Sequence, residues 1–407
     1  MTVNRRIFLV AFAASMLFML VPVVAQAQQK KTEVANESAP PGFVFTPFVV
    51  LSTAYNDNVF LKAQPESDTI LRLNPGFIMT YHSKRTYFDM GYSLAADKYT
   101  RYSELLNSWH DEQKGFLDIK RQFTDRFNAG IGASYFQTHN PGQLTPTAGL
   151  VLARTKSTQT TVVPSFTYEL SNVNFMNVFY NWTRYDQSSG LITNVGTAAA
   201  GIVHTLSPRD SLEFQVQNIT YHSSNGEDAT SNLATVGWTR AISRETSLVL
   251  SAGPRRTEGS TVPEVSAALR YDTDATHYSI TYSRSQAAVI GQAGVNNVQG
   301  LGMSFGFNPT HRLSIGFSPS YFHYYGSNLN AYGYHAGFYT TYFFSPAWAL
   351  SLTYDYAWQN GNTGTSVRPV VLRQNIVALA LQWALPGPGD RYRNSILPFG
   401  AAPVLSQ

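Results

Sequence analysis

The sequence predicts an all-β protein, an antiparallel up-and-down transmembrane β-barrel of about eighteen strands, and three observations predict it. From about Phe43 to Trp383 the chain repeats one unit: roughly ten residues of alternating character, a tight polar turn, roughly ten more, then a longer loop rich in Gly, Asn and Ser. Short turns exchanging with longer loops are the pattern of a barrel that crosses an outer membrane. Charged residues make up 13% of the chain and aromatics 14%, with a mean hydropathy of −0.16. A soluble domain carries about 25% charged residues. Low charge without high hydropathy suits strands with one face toward lipid and one toward water.

The amino terminus comes first. Arg5 and Arg6 precede an apolar run from Ile7 to Val24, interrupted by Ser15 and Pro22, and Ala25-Gln26-Ala27 follows. This reads as a Sec signal peptide over 1–27, cleaved after Ala27; a retained anchor is the alternative reading. No Cys follows the apolar run, so no lipid anchor is expected, and the chain has 0 Cys overall. That excludes a disulfide framework, thiol catalysis and Cys-ligated metal. Residues 28–42 are polar and Pro-rich and read as a disordered periplasmic lead-in. Loss of Arg5 and Arg6 takes the net charge from +4 to +2. No basic run of the kind nucleic-acid binding needs is present.

Eight tight turns divide the body, 43–383. They centre on Ser83-Lys84-Arg85, Thr124-Asp125, Ser171-Asn172, Pro208-Arg209-Asp210, Ser243-Arg244-Glu245, Asp272-Thr273-Asp274, Pro309-Thr310 and Ser345-Pro346, each with residues that favour turns. Longer connections are expected near 56–68, 97–108, 137–156, 186–194, 223–228, 256–261, 288–296, 326–330 and 359–372. Together these join eighteen strands, or sixteen if one weak hairpin is a long loop. An even count places both mature termini on the turn side, the periplasm in bacterial barrels.

Alternation is clearest late in the chain. Leu350, Leu352, Tyr354, Tyr356 and Trp358 oppose Ser351, Thr353, Asp355 and Ala357; Leu212, Phe214 and Val216 oppose Glu213, Gln215 and Gln217. Aromatics are expected in two interfacial belts. One holds Tyr99, Tyr102, Trp109, Tyr135, Phe136, Trp182, Tyr185, Tyr221, Tyr324, Tyr325, Tyr332 and Trp358 at loop-side strand ends. The other holds Phe123, Phe127, Phe307, Phe343, Phe344 and Trp348 at turn-side ends. The last strand, Asn375 to Trp383, ends on an aromatic, the usual signal to the barrel-assembly machinery. A tail over 384–407, with Pro386, Gly387, Pro388 and Gly389, follows it.

The first two strands read Phe48 to Phe60 with Tyr55-Asn56-Asp57-Asn58-Val59-Phe60, then Ser67-Asp68 and Pro75-Gly76. This stretch resembles the opening of the outer-membrane β-barrel porins of the second β-barrel-porin family. The resemblance implies a barrel over most of the mature chain. Some members are similar to barrels encoded with exopolysaccharide production, so polysaccharide traffic is a further implication; the family offers no catalytic residues to carry over. Read by themselves, Asn56, Asp57 and Asn58 suit a tight loop start, whereas a calcium site needs more oxygen ligands.

Nine His are scattered through the chain. No H-E-x-x-H, G-x-S-x-G or P-loop motif is present, so no enzyme, cofactor or metal is expected. Charges within strands are the better candidates. Glu112, Lys114, Asp118 and Lys120 share one face of the fourth strand; Arg72, Asp89, Glu213 and Asp355 lie in others. Arg or Lys facing lipid at the midplane costs roughly 2–4 kcal/mol, so these are expected to line the lumen, either as a charge filter or as an internal ion network. Arg240, Arg270, Arg284, Arg312 and Arg373 are further charges, and parity leaves the facing of Arg240 and Arg284 open. The loop Gln137–Lys156, with Pro141, Gly142 and Pro146, is the expected constriction. The expectation is therefore an outer-membrane barrel in lipid that passes small hydrophilic solutes or oligosaccharides. The alternative is an accessory barrel of an exopolysaccharide biosynthesis or export system that conducts little.

Overall fold

Eighteen antiparallel strands form a single closed sheet in the computed structural model, which describes residues 42–144, 154–226, 228–288, 295–326, 330–362 and 370–385. The expected signal peptide, lead-in and Pro/Gly tail lie outside the described residues. The strands are β1 (Gly42–Asn56), β2 (Asp68–His82), β3 (Thr86–Tyr99), β4 (Ser108–Thr124), β5 (Phe127–Thr138), β6 (Ser157–Ser171), β7 (Asn174–Gln187), β8 (Ile192–Ser207) and β9 (Asp210–Ser223). They continue as β10 (Ala229–Ala241), β11 (Thr246–Thr257), β12 (Ser260–Asp272), β13 (Thr276–Ala288), β14 (Val295–Thr310), β15 (Leu313–Tyr325), β16 (Asn330–Phe343), β17 (Trp348–Asn362) and β18 (Val370–Ala384). Each pairs with its sequence neighbours, and β1 closes on β18 from Phe48↔Ala384 to Asn56↔Ile376. Closure leaves no exposed sheet edge, which is the condition for spanning lipid with strands. No helix among the described residues is long and apolar enough to cross a membrane.

Burial is inverted relative to a soluble protein. On β9, Phe214 is 53% exposed and Val216 44%, while Gln215 and Gln217 between them are 6% and 7% exposed. Leu51, Val236, Leu352 and Leu379 likewise point outward and are exposed. Large apolar side chains belong in contact with water on neither face, so this outer surface is the lipid face.

One end of the barrel carries connections of two to four residues; at the other they run from two to eighteen. The expected turn at Pro309-Thr310 falls instead at His311-Arg312, because β14 runs on to Thr310. The expected longer loop at 256–261 is a two-residue turn. Glu258 and Gly259 both adopt left-handed backbone, φ 49° and 85°, the conformation a tight hairpin needs at both central positions. The exchange of short turns with long loops is therefore broken at this hairpin.

Some expected belt residues face the other way. Outward Tyr321, Tyr332, Tyr334 and Trp358 stack as a loop-side belt, and Phe123, Phe127 and Phe166 form part of the turn-side one. Tyr99, Tyr185, Tyr221 and Tyr324 are buried inside, as is Phe343. The cause is parity: Tyr221 lies on the face of Gln215 and Gln217, and Tyr324 on that of Ser320. Aromatics inside also cover glycines of the wall. A Cβ on Gly316 would sit 2.0 Å from the Tyr339 ring, and one on Gly76 would sit 2.3 Å from the Phe48 ring.

The triplet Asn56-Asp57-Asn58 clasps the seam between β1 and β18. Asp57 accepts from the Asn375 backbone N–H at 2.7 Å and from Asn375 Nδ2. Asn58, fully buried, donates to the carbonyls of Lys62 and Arg373 and accepts from Lys62 N–H. Gln374 Nε2 donates to Asn56 Oδ1 and to the Asn58 carbonyl. Short amides and carboxylates thus extend closure past the last ladder pair.

Candidate functional site

The barrel interior is where polar chemistry concentrates. Arg72, Asp89, Glu112, Lys114, Asp118, Lys120, Glu213 and Asp355 all sit on the face opposite the apolar one, by their registers with buried partners. The structure brings only some of them together.

The densest group is on β2 to β4, toward the loop end. Arg72 Nε and Nη2 each donate to an Asp97 oxygen at 2.6 Å, and Nη1 donates to Glu112 Oε2 at 3.0 Å. Lys114 Nζ meets Glu112 Oε1 at 2.6 Å and lies 4.8 Å from the Phe136 ring centroid. The planar guanidinium engages Asp97 with two parallel bonds, the strong bidentate form. Two cations and two carboxylates balance. Nearer the turn end, Asp118 pairs with Lys120 at 3.1 Å. Asp89 accepts from Thr80 and Tyr87 and stands opposite Asp118 in register. Glu213 is separate on β9. Asp355 Oδ1 lies 3.8 Å from His335 Nε2.

Of the other charges, Arg240 points outward over Trp238 and reaches Asp210 at 3.6 Å. Arg284 and Arg373 lie on the outward face by register, Arg270 on the inward face, and Arg312 in a turn. Carboxylates outnumber cations on the turn-side inner wall: Asp89, Asp118, Glu169 and Glu213 against Lys120 and Arg270.

Asp97, Arg255, Glu264 and Glu169 are inward charges beyond those the sequence singles out. The sequence pattern puts Asp97 in a loop, but β3 continues to Tyr99 and places it opposite Arg72. Arg255 and Glu264 flank the turn taken for a longer loop; they form an ion pair on β11 and β12, each side chain 4% exposed. The usable signal was parity. Arg255 falls on the face of Val249 and Ser251, and Glu264 on that of Ser266 and Ala268. Arg72 and Glu264 stand ten strands apart among eighteen, on opposing walls.

Loops and aromatics fill the loop-side half. The connection after β1 turns inward, leaving Val59 fully buried and packed with Ile70 and Tyr99. The described ends of the connection 139–156 descend as well. Leu144 packs on Tyr185 with Phe136 and Val195. Arg154 donates to the Tyr99 hydroxyl at 2.9 Å and to the Val59 carbonyl at 3.2 Å. Val298 of β14 and Tyr324 of β15, paired in register near the loop end, are fully buried as well. Pro141 is buried at the start of this connection; Pro146 lies outside the described residues. Toward the turn end, inward Asn128 and Ser165 are exposed. Outside the barrel wall, the Tyr102 hydroxyl, then Lys62, hold the Glu66 carboxyl below its ordinary range. No group of three or more His, Cys, Asp or Glu placed to hold a metal occurs among the described residues.

Apolar exterior, closed wall and ion-paired interior define a class: a membrane-spanning β-barrel of the outer-membrane type with a polar lumen narrowed at its loop end. No family model matches the chain, and no curated protein matches it by sequence. The resemblance of its first two strands therefore rests on those residues. Solved structures with a similar barrel include OccAB4 of Acinetobacter baumannii, 9% identical, with a TM-score of 0.47 over 84% of this chain and 98% of that one. The outer membrane protein OpdK of Pseudomonas aeruginosa is 10% identical, with a TM-score of 0.46 over 84% of this chain and 100% of that one. OprD of the same organism is 12% identical, with a TM-score of 0.42 over 86% and 97%.

Proposed function

We propose that the chain forms a porin-like channel in a bacterial outer membrane, admitting small hydrophilic solutes by diffusion. The observation that carries this is the inverted burial of an eighteen-stranded closed wall, apolar outside and lined inside by charged and amide side chains. Barrels of sixteen to eighteen strands are wide enough to hold an aqueous path. Both described ends of the barrel, Gly42 and Leu385, lie at the short-turn end, the end that faces the periplasm in this reading. Selectivity would be set in two places. The loop-side layer around Tyr99, Arg154 and Tyr324 limits size. The turn-side wall, with its excess of carboxylates, favours cations. Liposome swelling with neutral solutes of graded mass tests the reading: uptake that falls sharply with size supports it, and no uptake of even the smallest solute by a folded barrel removes it.

A second reading draws on one observation, the burial of Val59, Tyr99, Val298 and Tyr324 in that layer. A barrel so filled would conduct little alone and would serve as an accessory of an export assembly, with an exopolysaccharide as cargo only through the resemblance of β1 and β2.

A further inference from the structure

Among the described residues, one ladder of the closed wall stops well short of its loop-side hairpins. β11 and β12 stay paired up to Thr257↔Ser260, and β13 and β14 up to Ala288↔Val295. Between these hairpins, however, the ladder of β12 with β13 stops at Val265↔Arg284. Prolines account for it. Pro254 and Pro263 face each other in register, and neither has an N–H to give. As a pair without mutual hydrogen bonds, they direct their nitrogens to the outer neighbours. The ladder of β10 with β11 accordingly skips from Leu233↔Arg255 to Val236↔Ala252, and that of β12 with β13 ends just short of Pro263.

Gln286, beyond the break, bonds across to inner-wall hydroxyls. Its Oε1 accepts from Thr257 Oγ1 at 2.6 Å and from Ser231 Oγ at 3.4 Å. Below this latch lies the Arg255–Glu264 pair, with Tyr221 buried beside Arg255. Arg255 Nη1 and Glu264 Oε1 are both buried without a hydrogen-bond partner. Leaving buried atoms of charged groups unmet is unfavourable.

We propose that this corner is a latched lumenal subsite for a neutral polyhydroxyl solute, taken up by Arg255 and Glu264 when the Gln286 contact opens. The chemistry selects the class. The ion pair leaves one donor and one acceptor unmet, and the neighbouring Thr257 and Ser231 hydroxyls can each give and accept. The pair has no net charge, so it gives neither an anion nor a cation a net electrostatic attraction. The proposal rests on the interior being a solute path, and it names the solute class for that path.

The test is calorimetric titration of the refolded barrel in lauryldimethylamine oxide micelles, which carry no sugar, using maltotriose and, as an anionic counterpart, gluconate. Maltotriose is expected to bind and gluconate to bind more weakly. Because the latch competes with opening, Gln286→Ala is expected to tighten maltotriose about five- to tenfold, the loss of roughly one net hydrogen bond. Absence of maltotriose binding to both proteins, unchanged affinity in Gln286→Ala, or a preference for gluconate would each overturn the proposal. Binding in micelles needs no conduction. A conducting barrel that binds nothing sinks the subsite alone, and a silent barrel that binds sinks the channel reading.

Discussion

Replacing Arg72 with Met should destabilise the barrel by about 3 kcal/mol, the low end of the roughly 3–5 kcal/mol expected when one member of a buried ion pair is removed. The guanidinium is 10% exposed, the Asp97 side chain 0% and the Glu112 side chain 10%. Met fills a similar volume, so the loss is electrostatic. Asp97 forfeits two charge-assisted bonds, while Glu112 keeps Lys114. Water in a lumen screens more than a protein core does, which is why the low end applies. R72M/D97N removes the stranded carboxylate and should recover about half of the loss. Urea unfolding of the barrel in phospholipid vesicles, followed by tryptophan emission, reads both variants. If R72M costs less than about 1 kcal/mol, or if the double variant is no better than the single one, the buried-network reasoning is refuted.

Four further outcomes follow from the same contacts. Asp57→Ala removes the seam bonds to Asn375 and should cost about 2–4 kcal/mol, seen as a lower temperature for loss of the folded, fast-migrating band on a detergent gel. Gly316→Val drives a side chain into the Tyr339 ring and should cost about 1–3 kcal/mol by overpacking; Tyr339→Ala in the same background should relieve it. Arg154→Ala frees the connection 139–156 from Tyr99 and Val59, so single-channel conductance should rise and become noisier; an unchanged trace would deny that this contact narrows the path. The carboxyl of Glu66 is held low by Tyr102 and Lys62, so its contacts contribute fully above the ordinary glutamate range and are lost as pH falls through the lower folded value. Amide exchange in 57–67 should therefore quicken only on acidification below that range, and Glu66→Gln should abolish the pH step.

Strand number and facing were legible because a period of two is written into every strand: Leu212, Phe214 and Val216 against Gln215 and Gln217 decide inside from outside without a tertiary contact. Single charges such as Asp118 and Glu213 could be placed by the same parity together with the cost of charge in lipid. What stayed hidden depends on strand length and turn type. Glu258-Gly259 resembles loop sequence, yet two left-handed residues make it a tight hairpin, and that concealed Arg255 and Glu264. Asp97 was lost because β3 runs two residues past it. Tyr221 and Tyr324 stand near loops, which suggests an interfacial belt, but their parity turns them inward. Ion pairing across strands, as between Arg72 and Asp97, is set by register, which alternation alone does not supply.

Single-channel recording of the refolded mature barrel in a planar bilayer tests the central claim most directly. A steady, ohmic conductance is expected, with reversal potentials showing a cation preference that weakens when Asp118 and Glu213 are neutralised together. A folded, inserted barrel that stays silent at all voltages would contradict the account.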